Sequence, residues 1–165
     1  MATDVKPTMR PMNPEEYAGW HDQQVADYAA DMIEHGDMPP QAANRKAIAD
    51  FTSLLTGGLE TPGHLISVLE LGDDVVGWLW VAERMLDDRR ILWIYSVGID
   101  AAFRGRGFGR AAMLFAEDEA RRRGIGRIEL NVFGGNVVAR GLYRSLGYVE
   151  RAVIMGKNLD GASSA

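Results

Sequence analysis

The chain has 165 residues, 47% of them hydrophobic and 25% charged, a length and composition suited to one globular domain with a real core. It contains no cysteine, which excludes disulfides, thiolate metal sites and a cysteine nucleophile. The net charge of −5 is unevenly spread: residues 104–151 hold ten Arg against five acids (+5), and the remainder holds eight basic against eighteen acidic residues (−10). Overall acidity argues against a general nucleic-acid binder, while the basic stretch suits an anionic ligand. No apolar run is long enough to span a bilayer, and residues 1–10 lack the apolar segment of a signal peptide, so a cytoplasmic protein with no membrane partner is expected.

Residues 1–5 are expected to be loose, and Thr8 to Met12 reads as a short first strand. Asn13-Pro14-Glu15-Glu16 is a helix start, with Asn as cap, Pro at the first helical position and acids in the first turn. Tyr17, Trp20, Val25, Tyr28 and Met32 recur at helical spacing after it, and His35-Gly36 ends the helix. A second helix begins at Pro39-Pro40, with Ala47, Ile48, Phe51, Leu54 and Leu55 as its inner face, and stops at Gly57-Gly58. The period then changes. Leu65–Leu71, Val75–Glu83 and Ile91–Ile99 read as three strands of an antiparallel meander, joined by Gly72-Asp73-Asp74 and by the polar turn Asp87-Asp88-Arg89-Arg90. A helix led by Phe108, Ala111, Ala112 and Phe115 runs to Arg121-Arg122-Arg123 and stops at Gly124. Ile128–Val132 is a strand reached by this helical crossover, hence parallel to its predecessor. A short helix, Val137–Leu146, follows, and Tyr148–Leu159 reads as one or two closing strands before a polar tail.

Between the third meander strand and the helix lies Val97-Gly98-Ile99-Asp100-Ala101-Ala102-Phe103-Arg104-Gly105-Arg106-Gly107-Phe108-Gly109-Arg110. Its glycines let the backbone approach a ligand, and the helix start presents unpaired N–H groups to an anion. Strand, Gly-rich turn and helix start together make a pyrophosphate cradle. A dinucleotide fingerprint would need a third Gly where Arg110 stands, and a P-loop would need Gly-Lys-Ser/Thr, which is absent. Downstream, Asn136, Ala139 and Tyr143 fall at i, i+3 and i+7 of one helix face, placing a polar cap, a small residue and a phenol along a groove. Taken alone, Asn136 reads better as an ordinary N-cap and Tyr143 as a half-buried packing residue; the Gly-rich turn upstream tips both to the functional reading. His21, His35 and His64 show no metal-ligand spacing, and no metal is expected.

Arg104-x-x-Gly107-x-Gly109 resembles the acetyl-CoA signature, Arg/Gln-x-x-Gly-x-Gly/Ala, of the GNAT superfamily of N-acetyltransferases. Asn136, Ala139, Tyr143 and Gly147-Tyr148 resemble that family's Asn-x-x-Ala-x-x-x-Tyr-x-x-x-Gly-aromatic segment, and the likeness is detailed over residues 64–159. The resemblance implies an α/β acyl-CoA N-acyltransferase fold, with a central, mostly antiparallel mixed sheet of about six or seven strands and about four helices. Residues 1–165 would then be a single N-acetyltransferase domain, with a cofactor-binding core at 91–148 and a flexible tail at 160–165. It also implies acetyl-CoA as co-substrate and direct attack by a primary amine, with no covalent enzyme intermediate. In that reading Val97, Gly98 and Ile99 hold the pantetheine arm, the Val97 amide polarises the thioester oxygen, and Arg104, Gly105, Arg106, Gly107, Phe108, Gly109 and Arg110 hold the pyrophosphate. Asn136 and Ala139 flank the pantetheine end, and Tyr143, a phenol with an ordinary pKa of about 10, protonates the leaving thiolate. The strand before the turn carries no acid, so Glu83, or Glu70, acting through a water, is the candidate base. The acceptor pocket would draw on Trp20, Tyr28, Trp78, Trp80, Trp93 and Tyr95, with Asp27, Asp31 and Glu34 available to a cationic amine. The acceptor itself is left open between a small-molecule amine and a protein or peptide amine. The alternatives are a non-catalytic acyl-CoA-binding module of the same fold and a site for another phosphorylated ligand. Exposed strand edges near the C-terminus leave room for a homodimer.

Overall fold

The structure, a computed structural model, describes residues 6–159; the expectations for residues 1–5 and 160–165 lie outside them. Five strands, β1 (Thr8–Pro11), β2 (His64–Leu71), β3 (Asp74–Leu86), β4 (Arg89–Ile99) and β5 (Ile128–Leu130), form one mixed sheet in sequence order. β1 to β4 pair antiparallel and β5 lies parallel to β4, as the helical crossover requires. Four α-helices accompany the sheet: α1 (Pro14–Glu34), α2 (Pro40–Leu54), α3 (Phe108–Arg122) and α4 (Val137–Ser145).

The helices cover opposite faces. Trp20 of α1 and Phe51 of α2 pack on Ile66, Val68 and Trp80 of the sheet. Met113, Ala116 and Ala120 of α3 pack on Leu79, Val81, Leu92 and Ile94 from the other side. Ile48, expected inward, is 58% exposed, because Ala43, Ala47 and Phe51 alone make the buried stripe of α2. The β3–β4 turn is built by Asp87 and Asp88, both at positive φ (47° and 61°), the geometry a tight two-residue hairpin needs.

The strand count is lower than expected. Residues 148–159 form no strand, and no main-chain hydrogen bond joins residues 149–159 to another segment among the described residues. The composition of this stretch favours a strand, but strand-forming residues pair only where tertiary context brings them onto an edge, and the outer edge of β5 is left unpaired among the described residues.

α1 opens with the expected cap. Asn13 Oδ1 accepts from the Glu16 amide (2.8 Å), and Glu16 Oε2 accepts from the Asn13 amide (2.9 Å). Arg10 of β1 donates to both Glu16 oxygens (2.9 and 2.7 Å) and to Glu70 of β2 (2.7 Å), tying helix to sheet. The Arg10 hydrogen bond and the Asn13 amide hold the Glu16 carboxyl down at about 2. Its folded pKa is depressed, so its contribution to stability is present above the ordinary value of 4.5 and lost as pH falls toward 2. Urea unfolding at pH 3 and pH 6 is expected to show that loss, and Glu16→Gln should flatten it.

Candidate active site

Main-chain geometry at the end of β4 defines the site. β4 and β5 pair only over Leu92–Ile94 against Ile128–Leu130 and separate beyond. In the β3 ladder, Trp80 faces Ser96 while Val81 faces Ile94, so Tyr95 is an extra, bulged residue. The bulge reverses the phase of the strand. Before it, the Leu92 amide points toward β5, bonding Arg127 O at 2.9 Å; after it, the Asp100 amide points toward β3, bonding Val76 O at 2.9 Å. By alternation from Asp100, the peptide groups of Gly98 and Ser96 face β3, and those of Val97 and Ile99 face the open side where β5 has drawn away. Arg104 Nε takes the Ile99 carbonyl (3.0 Å), and the Val97 amide is left without a strand partner on that side.

The Gly-rich turn follows directly. Gly105 and Gly107 stand at φ of 73° and 84°, and a Cβ at either position would meet no atom, so backbone conformation accounts for both glycines. Gly107 caps α3 in the left-handed region with no side-chain cap bond. The first helical bond is Ala111 N to Gly107 O (3.1 Å), which leaves the amides of Phe108, Gly109 and Arg110 free of intrahelical partners. Phe108 contributes only main chain to this cradle, since its ring is buried under β3 and β4. The guanidinium of Arg106 lies over the rings of Phe103 and Phe108 (5.6 and 5.3 Å), and Arg110 donates to Ser145 Oγ (2.7 Å). Two other glycines have steric reasons instead. A Cβ on Gly109 would press Leu142 of α4 at 3.2 Å, and a Cβ on Gly98 would fall inside the indole of Trp78.

α4 faces the same opening. Asn136 caps it, Oδ1 accepting from the Ala139 amide at 3.1 Å, so its carbonyl oxygen is engaged locally. Tyr143 packs half-buried on the α3-side core, with its ring 6.0 Å from that of Tyr148, whose buried hydroxyl has no hydrogen-bond partner among the described residues. Desolvation pushes the pKa of Tyr143 up, which keeps its phenol protonated at neutral pH.

The structure does not bring the expected bases to this place. Glu83 pairs with Arg90 (2.6 Å), which lowers its pKa, and it faces Leu92, five positions from Val97 and roughly 15 Å along the strand. Glu70 is bound to Arg10 on the far side of the sheet.

On the α1 side of the opening, a chain missed from sequence links three elements: Trp78 Nε1 donates to Ser96 Oγ (2.9 Å), which donates to Gln24 Oε1 (2.6 Å). Gln24 is buried in α1 with Trp20 one turn before it and Tyr28 one turn after, so a polar residue inside an apolar stripe was the available signal. Gln24 lies beside a cavity of about 280 Å³ that Trp20, Val68, Trp78 and Asp100 also line, and the buried Trp20 Nε1 has no hydrogen-bond partner among the described residues. Of the other expected acceptor aromatics, Trp80 is fully buried beneath Tyr95, which stacks on it at 4.5 Å. Asp27, Asp31 and Glu34 lie along α1 with Asp31 and Glu34 exposed, and His64 is spent on packing and on accepting from Trp80 Nε1 (3.0 Å). Among the described residues no cluster of metal-ligating side chains occurs, and no helix is long and apolar enough to cross a membrane.

A mixed sheet splayed beside a bulged strand, with an amide-lined turn opening the next helix, defines an acyl-CoA-type transferase fold. The sequence model of the acetyltransferase (GNAT) family matches residues 20–148, and the chain belongs to that family. It is 34% identical over 152 residues to the uncharacterized N-acetyltransferase YycN of Bacillus subtilis (strain 168), covering 92% of this chain and 97% of that protein. Identity to the uncharacterized N-acetyltransferase YdgE of the same organism is 28% over 153 residues, 92% and 98% of the two chains. The crystal structure of YycN superposes with a TM-score of 0.88 over 93% of this chain and 99% of that one. A putative acetyl transferase from Pyrococcus furiosus, 25% identical, gives 0.68 over 93% and 100%.

Proposed function

We propose that this chain transfers the acetyl group of acetyl-CoA to a primary amine, of a small molecule or a peptide, by direct attack within a ternary complex. The observation that carries the reading is the continuity of free main-chain donors, from Val97 to the amides of Phe108, Gly109 and Arg110, with the half-buried Tyr143 phenol across the same opening. The turn amides and the positive end of α3 hold the pyrophosphate. The open edge of Val97, Gly98 and Ile99 receives the amide-bearing arm as an added strand would be received. The Val97 N–H stabilises negative charge developing on the thioester oxygen. Nitrogen–carbon bond formation expels the thiolate, Tyr143 supplies its proton, and the proton released by the new amide leaves through water. Glu83, pinned by Arg90, is given no role. The acceptor enters from the α1 side, where the cavity beside Gln24 and Trp78 gives an aromatic wall and an amide donor.

Thermal shift with acetyl-CoA, coenzyme A and ATP, followed by an amine panel read by thiol release, tests this. Stabilisation by the two coenzyme A species and thiol release with at least one amine are expected. Stabilisation by ATP alone would overturn the cofactor. Coenzyme A binding with no thiol release across the panel would return the chain to a non-catalytic acyl-CoA-binding module.

A further inference from the structure

We infer that Arg84 recognises a carboxylate on the acceptor, so that the amine acetylated here belongs to an ω-amino acid with about five or six bonds between its nitrogen and its carboxylate carbon. The inference rests on the acetyl-transfer reading above and names the acceptor of that same site. Arg84 lies near the end of β3. Val81 packs in the α3-side core, and Glu83 bonds Arg90, which reaches Arg123 O at the end of α3. Alternation therefore puts Arg84 on the α1 face with Trp80. There its guanidinium carbon stands 4.7 Å from the centre of the Trp93 ring and 6.0 Å from that of Tyr95. The rings hold the cation without using its N–H donors, and among the described residues no carboxylate or carbonyl takes them. The nearby charges are already committed: Arg90 to Glu83 on the other face, and Arg127 and Arg151 to Glu129, the acid beside Trp93 on β5. An exposed guanidinium steadied on aromatic rings, with its donors unspent, is built to take a carboxylate in a two-pronged bond. The floor under it is firm, since Tyr95 stacks on Trp80 (4.5 Å) and on His64 (5.6 Å).

The ladder fixes how far this cation stands from the reacting centre. Val97 faces Leu79 and Trp93 faces Ala82, three β3 residues along, which is roughly 10 Å. A ligand that meets the thioester carbon beside Val97 at one end and Arg84 at the other gives up a contact's length at each, which leaves roughly 7 Å between nitrogen and carboxylate carbon. An extended chain of about six bonds spans that distance, whereas the two bonds of an α-amino acid do not. Tyr95 and Trp93, both half-exposed, lie between and give methylene groups an apolar floor. Charge closes the opposite course. Glu16 and Asp100 line the cavity past Trp78, where they would repel a carboxylate, so the anionic end turns toward Arg84.

Matched acceptors test this: 6-aminohexanoate, its carboxamide and glycine, each with acetyl-CoA and read by thiol release, alongside calorimetric binding of 6-aminohexanoate to the coenzyme A complex. The wild type is expected to prefer 6-aminohexanoate to the carboxamide, and to glycine, by about twentyfold in kcat/KM. Arg84→Gln should raise KM for 6-aminohexanoate by about the same factor with kcat within about twofold, and bring the ratio to the carboxamide near one. Arg84→Lys, which keeps the charge and loses the fork, should recover part of the preference. Equal use of acid and carboxamide by the wild type, or a preference that survives Arg84→Gln, would overturn the assignment of Arg84 while leaving acetyl transfer standing. Binding of 6-aminohexanoate that depends on Arg84 but yields no thiol would keep the carboxylate site and remove the transferase. Neither binding nor thiol release with 6-aminohexanoate would overturn the inference whatever other amines react.

Discussion

Tyr143→Phe is expected to lower turnover about a hundredfold while acetyl-CoA affinity changes by less than about twofold. The ring is half-buried against the α3-side core and 6.0 Å from Tyr148, contacts that phenylalanine keeps. What the substitution removes is one O–H, in a place where burial raises its pKa. Loss of a proton donor used only as the carbon–sulfur bond breaks should appear in kcat and not in the binding constant. Thiol release at saturating acetyl-CoA, with calorimetric binding of coenzyme A, separates the two. An unchanged kcat would dismiss Tyr143 as the acid while leaving the cofactor site standing.

Gly98→Ala is expected to destabilise the protein by about 3 kcal/mol, lowering Tm by roughly 6–12 °C. The new methyl would overlap the indole of Trp78, which cannot swing aside without breaking its bond to Ser96 and, through it, to Gln24. The indole is the obstacle, so the cost should be strongly coupled. In a Trp78→Ala background, Gly98→Ala should cost less than about 1 kcal/mol in the same chemical-denaturation series. Additive costs would mean that the strand itself rejects a side chain at this position.

Much of the molecule is legible in its residue order because local chemistry decides it. Asn13 and Glu16 announce the start of α1, Gly72 and the Asp87–Asp88 pair announce the hairpins, and Gly107 announces the mouth of α3. Asn136, Ala139 and Tyr143 share a face of α4 as their spacing requires. What escapes is decided between elements. Nothing near Glu83 in sequence says that Arg90, across a hairpin, will pair with it. Gly98 and Gly109 look like ligand-facing glycines until Trp78 and Leu142 are seen against them. Tyr148–Leu159 carries strand-forming residues, yet among the described residues no main chain pairs with residues 149–159.

The surplus residue at Tyr95 has a sharper implication for anyone redesigning this sheet. Keeping it but pairing it flat opposite Trp80 would let β3 and β4 zip in uninterrupted register, and most measures of regularity would improve. That flattening would rotate the Val97 peptide by half a turn, burying its N–H in the β3 ladder and setting Ser96 where Val97 had packed. A tidier, sturdier protein would result, without the open amide on which the proposed transfer rests.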